Sequence, residues 1–340
     1  MKYMMWIMNK SPLKGKAYVD LMKKKLSGSF DSGTELKRFN KRKDADEEKH
    51  MDEIRATKAY KYLTWSKVKE YLGAYPQRQI ELHDELYKHI HGNDGKITAI
   101  ELETIRKIFD YGYYIDGDAE TAYKIAALMD TNTCCYCNRL YTLTIDNINA
   151  ESGEKTHLVR PTFDHWFPQN KYPDLALSYY NLIPSCTLCN SSLKHDNTDM
   201  SLDKFIHPYV DEDCGFRFTY RPLSNGNKVE YAFKVADKAY QQKVINTLNL
   251  FKTIEIYDAH APLELQDLLD LAQEYPGDYI EQLITTVMSD LDISENDTYR
   301  AVFGIEIDQR HHADRPFSKF KSDIIAEIKC KTKKAKKESL

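Results

Sequence analysis

Cys134-Cys-Tyr-Cys137 and Cys186-Thr-Leu-Cys189 are two C-x-x-C hooks. Two intervening residues let both sulfurs of a hook turn toward one ion, and two hooks complete the closed four-thiolate shell of structural Zn²⁺. The alternative is four buried thiols without metal, because free cysteine also packs as a small apolar side chain. The hooks lie 48 residues apart, longer than the usual ribbon spacer, so the spacing predicts something nested between them. Nested there are Asp164-His165 and, 16 residues after His165, Asn181-Leu182; Asn190 directly follows the last cysteine and Lys194 comes four residues later. A phosphodiester resists water because its charge repels nucleophiles and its alkoxide leaves poorly, and one divalent cation relieves both problems. The carboxylate of Asp164 and the amide oxygen of Asn190 are hard donors suited to Mg²⁺ or Mn²⁺. His165, an imidazole that titrates near neutrality, would take the proton of the attacking water. Lys194, or the neighbouring His195, would neutralise the scissile phosphate, and Arg160 would reach the substrate backbone. Asp164 and His165 are adjacent, so on a regular strand they face opposite ways; a bulge is expected if both serve one site.

The order C-x-x-C, D-H, N-L, C-x-x-C-N, K resembles the HNH nuclease family over residues 134–200. Singly, an Asp-His pair, an Asn-Leu pair or a lysine is ordinary surface or hydrogen-bonding chemistry; the order, with both hooks, carries the signal. The resemblance implies a ββα-metal core whose first strand ends at Asp164-His165 and whose helix carries Asn190 and Lys194. The second strand would lie in the Pro- and aromatic-rich connection. It also implies that Asn181 fixes the intervening loop through backbone hydrogen bonds and helps orient His165, and that cleavage leaves a 5′-phosphate. Two departures matter. The last family position is Asn190 rather than histidine, and no second acid stands beside Asp164, which predicts weak metal binding without substrate. The segments "SLDKFIHPY" and "YDAHAPLELQDLLD" are similar to parts of larger bacterial HNH proteins of anti-phage defence, Septu-type or retron-associated. That similarity implies a toxic effector restrained by a partner such as an ATPase.

These residues need a scaffold. In 340 residues, 42% apolar content allows a real core, and 29% charge with only 13 glycines favours a helix-rich protein. The net charge of −4 excludes a globally basic nucleic-acid binder, so contacts with a polyanion must be local. No run reaches the ~18 apolar residues of a membrane span, and the short apolar opening lacks a cleavage pattern. The expectation is a cytoplasmic chain, in which cysteines serve metal or burial rather than disulfides. The reading is α+β, mainly helical: a helical domain over 1–130, with helices at "WSKVKEYLGAY", "QIELHDELYKHIHG" and "DAETAYKIAALMD", then a zinc-bound ββα-metal core over 131–214 that includes the β-type run "THLVRPTFDHW". A hairpin plus helices over 215–330, one of them at "DYIEQLITTVMSDL", and a basic disordered tail over 331–340 follow. DNA is the expected substrate; RNA, for example tRNA, and a non-catalytic zinc-stabilised binding module are the alternatives. No G-x-x-x-x-G-K-[ST] occurs, so nucleotide hydrolysis is not expected.

Two decoys are set aside. "GNDGKITAIELE" resembles half a calcium loop, with Glu101 at its last position, but Ile90 and Gly92 would fall at ligand positions and offer no side-chain oxygen. It reads as a turn capping a helix from near Thr98. Adjacent His311 and His312 point apart on regular backbone, so a polar loop is expected there rather than a metal site.

Overall fold

The computed structural model describes residues 12–27, 45–91, 96–194, 198–274 and 294–338. The helix expected from "DYIEQLITTVMSDL" and residues 92–95 of the calcium-like segment lie outside them. The chain is α+β and mainly helical. Among the described residues seven α-helices lead: α1 Pro12–Ser27, α2 Ala45–Ala56, α3 Lys58–Tyr62, α4 Trp65–Gly73, α5 Pro76–Ile90, α6 Ala99–Ile108 and α7 Ala119–Met129, with a short wide-turned helix at Gly112–Asp116. Thr57, Thr64, Thr98 and Asp118 cap α3, α4, α6 and α7, each accepting from a backbone N–H of the first turn. Glu101 is buried and accepts the N–H groups of Lys58 and Ala59, each at 2.8 Å, so its carboxylate closes the start of α3.

Three two-stranded antiparallel ladders follow: β1 Ile145–Ile148 with β2 Lys155–Val159, β3 Thr162–His165 with β4 Leu182–Ser185, and β5 Phe216–Leu223 with β6 Gly226–Phe233. The run "THLVRPTFDHW" divides at Arg160-Pro161, where proline removes a ladder donor. β5 and β6 turn through Ser224-Asn225, and Gly226 there has φ of +135°, a region open to glycine. The chain then runs through α8 Lys238–Leu250, α9 Thr253–His260, α10 Gln266–Glu274, α11 Glu295–Phe303 and α12 Ser318–Glu338. The lysine-rich end, expected as a disordered tail from 331, continues α12 to Glu338. Lysine and alanine are good helix formers, and the packed first half of α12 supplies the nucleus they extend.

One apolar core runs through the chain from Tyr18 and Met22 of α1 to Ile324 and Ile325 of α12. The first hook is where the C-terminal region fastens. Asn138, at a left-handed φ of 45°, donates through Nδ2 to the His312 carbonyl (2.8 Å), the Arg315 carbonyl (3.1 Å) and Thr133 Oγ1 (3.0 Å). Its own carbonyl accepts from Phe317 N–H at 2.7 Å. Among the described residues no helix is long and apolar enough to cross a membrane.

His312 is not in a loop but in the 3₁₀ turn Gln309–Asp314, and it is 3% exposed while His311 pairs with Asp314 at the surface. Burial, and then the nearby Lys319 ammonium, lower its pKa to about 4. The folded state therefore holds the neutral ring. Its contribution is complete above the ordinary imidazole value and is lost as pH falls from about 6.5 toward 4, about 3 kcal/mol in all. Urea unfolding at several pH values is expected to show this acid loss in the wild type and a flatter profile in His312→Leu.

Candidate metal centre and polar site

The sulfurs of Cys134, Cys137, Cys186 and Cys189 all lie within 4.8 Å of one another, and all four residues are buried. No disulfide joins them. A tetrahedral Zn²⁺ with bonds near 2.3 Å needs sulfurs about 3.8 Å apart, so the donor set fits that ion. The crowding shows in their acidities. Hydrogen bonds with the Cys134 thiol hold Cys137 and Cys186 low and Cys189 high, while burial raises Cys134. A bound cation would answer this by taking all four as thiolates. The first hook is braced by Cys134 N–H donating to Leu140 O at 2.9 Å, Cys135 N–H reaching Pro184 O of β4, and Tyr257 Oη donating to Cys137 O at 2.7 Å; in the second, the Cys186 and Cys189 carbonyls accept from Asn190 and Lys194 N–H, each at 3.0 Å. Cys135 is buried beside the cluster without belonging to it.

β3 and β4 pair in unbroken register, Asp164 opposite Ile183 and His165 opposite Leu182. The bulge expected at Asp164-His165 is therefore absent, and the two side chains meet different surroundings. Asp164 is buried and faces Lys194 and Tyr136. Lys194 Nζ lies 2.8 and 2.9 Å from the two carboxylate oxygens and 2.6 Å from the His165 carbonyl oxygen, and Tyr136 Oη donates to Oδ2 at 2.5 Å. Burial and the adjacent carboxylate raise the Tyr136 phenol well above its ordinary range. Lys194, expected to face a phosphate, is 4% exposed and closed onto Asp164. The Lys194 ammonium thus fills the space between the Asp164 carboxylate and the His165 carbonyl.

His165 is half-buried on the other side. Its Nε2 lies 3.0 Å from the Ala176 carbonyl, and its ring meets Tyr111 edge-on with centroids 4.7 Å apart. A carbonyl only accepts, so Nε2 carries the proton and the lone pair of the neutral ring is at Nδ1. Asn181 is fully buried and works on backbone: Oδ1 accepts Phe167 N–H at 2.7 Å, and Nδ2 donates to Phe167 O at 3.2 Å and Leu175 O at 3.1 Å. It thereby shapes the connection that presents the Ala176 carbonyl.

Asn190 lies half-buried on the short helix Leu188–Leu193, which packs against β3. That helix begins after the second hook starts, not at Ser185, which ends β4. It is wide-turned, so Lys194 N–H reaches back five residues to Cys189 O. His195 lies outside the described residues. Arg160 is engaged by Asp116 at 2.9 Å and stacks 5.2 Å above the Phe163 ring. Trp166, Phe167, Tyr179 and Tyr180 are all buried, so these rings serve the core rather than stack bases. Tyr136, Asn138 and Tyr111 were not singled out by sequence reading. Asn138 left one sign, an asparagine just past a hook, where left-handed backbone is common.

The Asp164–Lys194 pair gives a direct test. Removing one partner of a buried ion pair leaves an uncompensated charge and costs about 3–5 kcal/mol. Lys194→Met is expected to lose that much in urea unfolding and to recover part of it with added Mn²⁺, because a cation that binds only the folded chain stabilises it.

Comparison with known proteins finds partial relatives. Protein ea31 of Escherichia phage lambda is 27% identical over 151 residues, covering 41% of this chain and 47% of that protein. Septu protein PtuB of Bacillus thuringiensis is 30% identical over 89 residues, covering 26% of this chain and 29% of that protein. The chain thus spans less than half the length of the curated relatives it matches. No protein-family model matches it, and no solved structure matches significantly. The chain is therefore distantly similar to a Septu protein and carries a four-cysteine cluster able to hold a metal ion.

Proposed function

We propose that this chain is a metal-dependent HNH-type endonuclease that hydrolyses phosphodiester bonds, DNA first among its substrates. The observation that carries the reading is His165: a ladder-end histidine whose Nε2–H is given to a backbone carbonyl, next to a buried carboxylate that already grips a cation. In this reading the Nδ1 lone pair of His165 accepts the proton of the attacking water. A divalent Mg²⁺ or Mn²⁺ at Asp164 and Asn190 would supply neutralisation of the phosphate and stabilisation of the departing oxygen. Because the unbroken register turns Asp164 and His165 to opposite faces, the two would act on one phosphodiester only once the end of the ladder bends. For Asp164 to serve as its ligand, Lys194 must release a carboxylate oxygen, which makes its ammonium available to phosphate. Asn181 holds the loop, and the four cysteines with Zn²⁺ hold the ladder against the short helix. The similarity to Septu protein PtuB supports a place in bacterial anti-phage defence, as an effector held by a regulatory partner protein.

The test uses the full chain with supercoiled plasmid, single-stranded DNA and total RNA, each with Mg²⁺ or Mn²⁺. Wild type is expected to nick the plasmid and His165→Ala to leave it intact. Equal background from both proteins on all three substrates would end the nuclease reading. Cleavage confined to RNA would keep the chemistry and change the substrate.

A further inference from the structure

We infer that His83, on α5 of the N-terminal helical region, is a positioning residue for His165, acting through Asp174 and the Ala176 carbonyl. The inference rests on the nuclease reading for its kinetic consequence but not for its structural one. Asp174 sits in the turn Pro173–Leu175, inside the connection between His165 and Asn181. It is 0% exposed, Oδ1 lies 2.9 Å from His83 Nδ1, and Oδ2 has no hydrogen-bond partner. A buried carboxylate with one oxygen unanswered is costly, and a turn that needed only packing would be better served by an apolar residue or an amide. Its hydrogen bond from His83 therefore helps fix where the turn sits.

The turn matters because the next residue carries the acceptor. Ala176 N–H donates to Pro173 O at 3.3 Å, closing the turn, and the Ala176 carbonyl takes His165 Nε2–H. The helical region holds this stretch at successive residues: α4, α5 and α6 all pack on Pro173–Leu175, Tyr18 Oη of α1 donates to Leu177 O at 2.7 Å, and Ser178 Oγ donates to Tyr71 O of α4 at 2.7 Å. The His83 ring is itself fixed between Tyr87 and Tyr172, at centroid distances of 4.0 and 4.7 Å. Of these contacts, the one from His83 is made to a side chain without other support. If it is lost, Asp174 turns toward water, the turn shifts, and the carbonyl that fixes the His165 tautomer moves with it. The proton then redistributes between the two ring nitrogens, and fewer molecules present the lone pair at Nδ1.

The experiment is nitrogen NMR of the full chain with ¹⁵N-labelled histidine, alongside plasmid nicking across substrate concentrations. In wild type, His165 is expected to show one protonated nitrogen, Nε2. In His83→Leu the two nitrogen signals are expected to move toward each other, with kcat down about 10- to 100-fold and KM within about twofold. His83→Asn, which keeps an N–H at the place of Nδ1, is expected to restore most of both. A folded, zinc-loaded His83→Leu with unchanged signals would overturn the inference. So would a loss that His83→Asn fails to restore, since packing alone would then explain it. If His83→Leu does not fold, the isosteric Asp174→Asn takes its place under the same criteria. A shifted tautomer in a chain inactive on every nucleic acid would uphold the positioning role and remove the nuclease reading.

Discussion

His165→Ala is expected to slow plasmid nicking by about 10²–10⁴-fold, the range for removing a general base. The ring touches Tyr111 and donates to the Ala176 carbonyl, both outside the β3–β4 ladder, so its removal should leave the ladder and the four-cysteine cluster in place. Zinc content and unfolding midpoint are therefore expected to stay close to wild type. The loss should fall on kcat, because a base acts on the water and not on the binding of the polyanion. Added imidazole should recover part of the rate in the cavity left by the ring. A variant within twofold of wild type would show that His165 moves no proton, and cleavage, if present, would need another base. Asp164→Ala makes the companion control: it strands Lys194 as a buried charge, so it should fail in stability as well as rate. Two neighbouring substitutions with different signatures would separate the base from the cation-holding carboxylate.

How much of this could be read from the chain depends on the kind of information involved. The hooks were legible because metal ligation demands residue type and spacing together, and the four sulfurs converge. The helices from "WSKVKEYLGAY", "QIELHDELYKHIHG" and "DAETAYKIAALMD" were legible because their apolar periodicity serves one core and their capping residues are local. The division of strand at Pro161 and the helical run to Glu338 were missed because both turn on what neighbouring segments supply. Lys194 is the sharper case. As a lone lysine on a short helix it reads as solvated; its burial comes from the wide turn of Leu188–Leu193, which swings it under β3 onto Asp164. The His83–Asp174 contact joins residues 91 apart in the chain, and no local pattern reports it. Asn138 left only the local sign of its left-handed backbone; its bonds to residues 312–319 are as distant in the chain.

Cys189→Ser is expected to do more than lower a rate: it should cost the central region its fold. β3 and β4 are four residues each, and a two-stranded ladder of that length is not stable by itself. The apolar residues around it belong to a core shared with both ends of the chain, so something must first hold the ladder in register with the short helix. With zinc bound the hooks would do this at both ends, Cys134–Cys137 ahead of β3 and Cys186–Cys189 directly after β4. Structural zinc contributes about 10–16 kcal/mol, comparable with the whole ~5–15 kcal/mol that keeps a domain folded. Losing one thiolate should weaken the site enough to free the ladder. The damage should spread, because Asn138 and the Cys137 carbonyl anchor Phe317 and Tyr257 from the C-terminal region. Elemental analysis should find about one zinc per wild-type chain and far less in Cys189→Ser, with amide exchange fast across 133–194 and raised around 312–319. Cys330→Ser, at an exposed thiol outside the cluster, should change nothing. Wild-type protein with well under one equivalent of zinc, or a Cys189→Ser chain as protected as its parent, would mean that the sulfurs are packing groups and that the core alone orders the ladder.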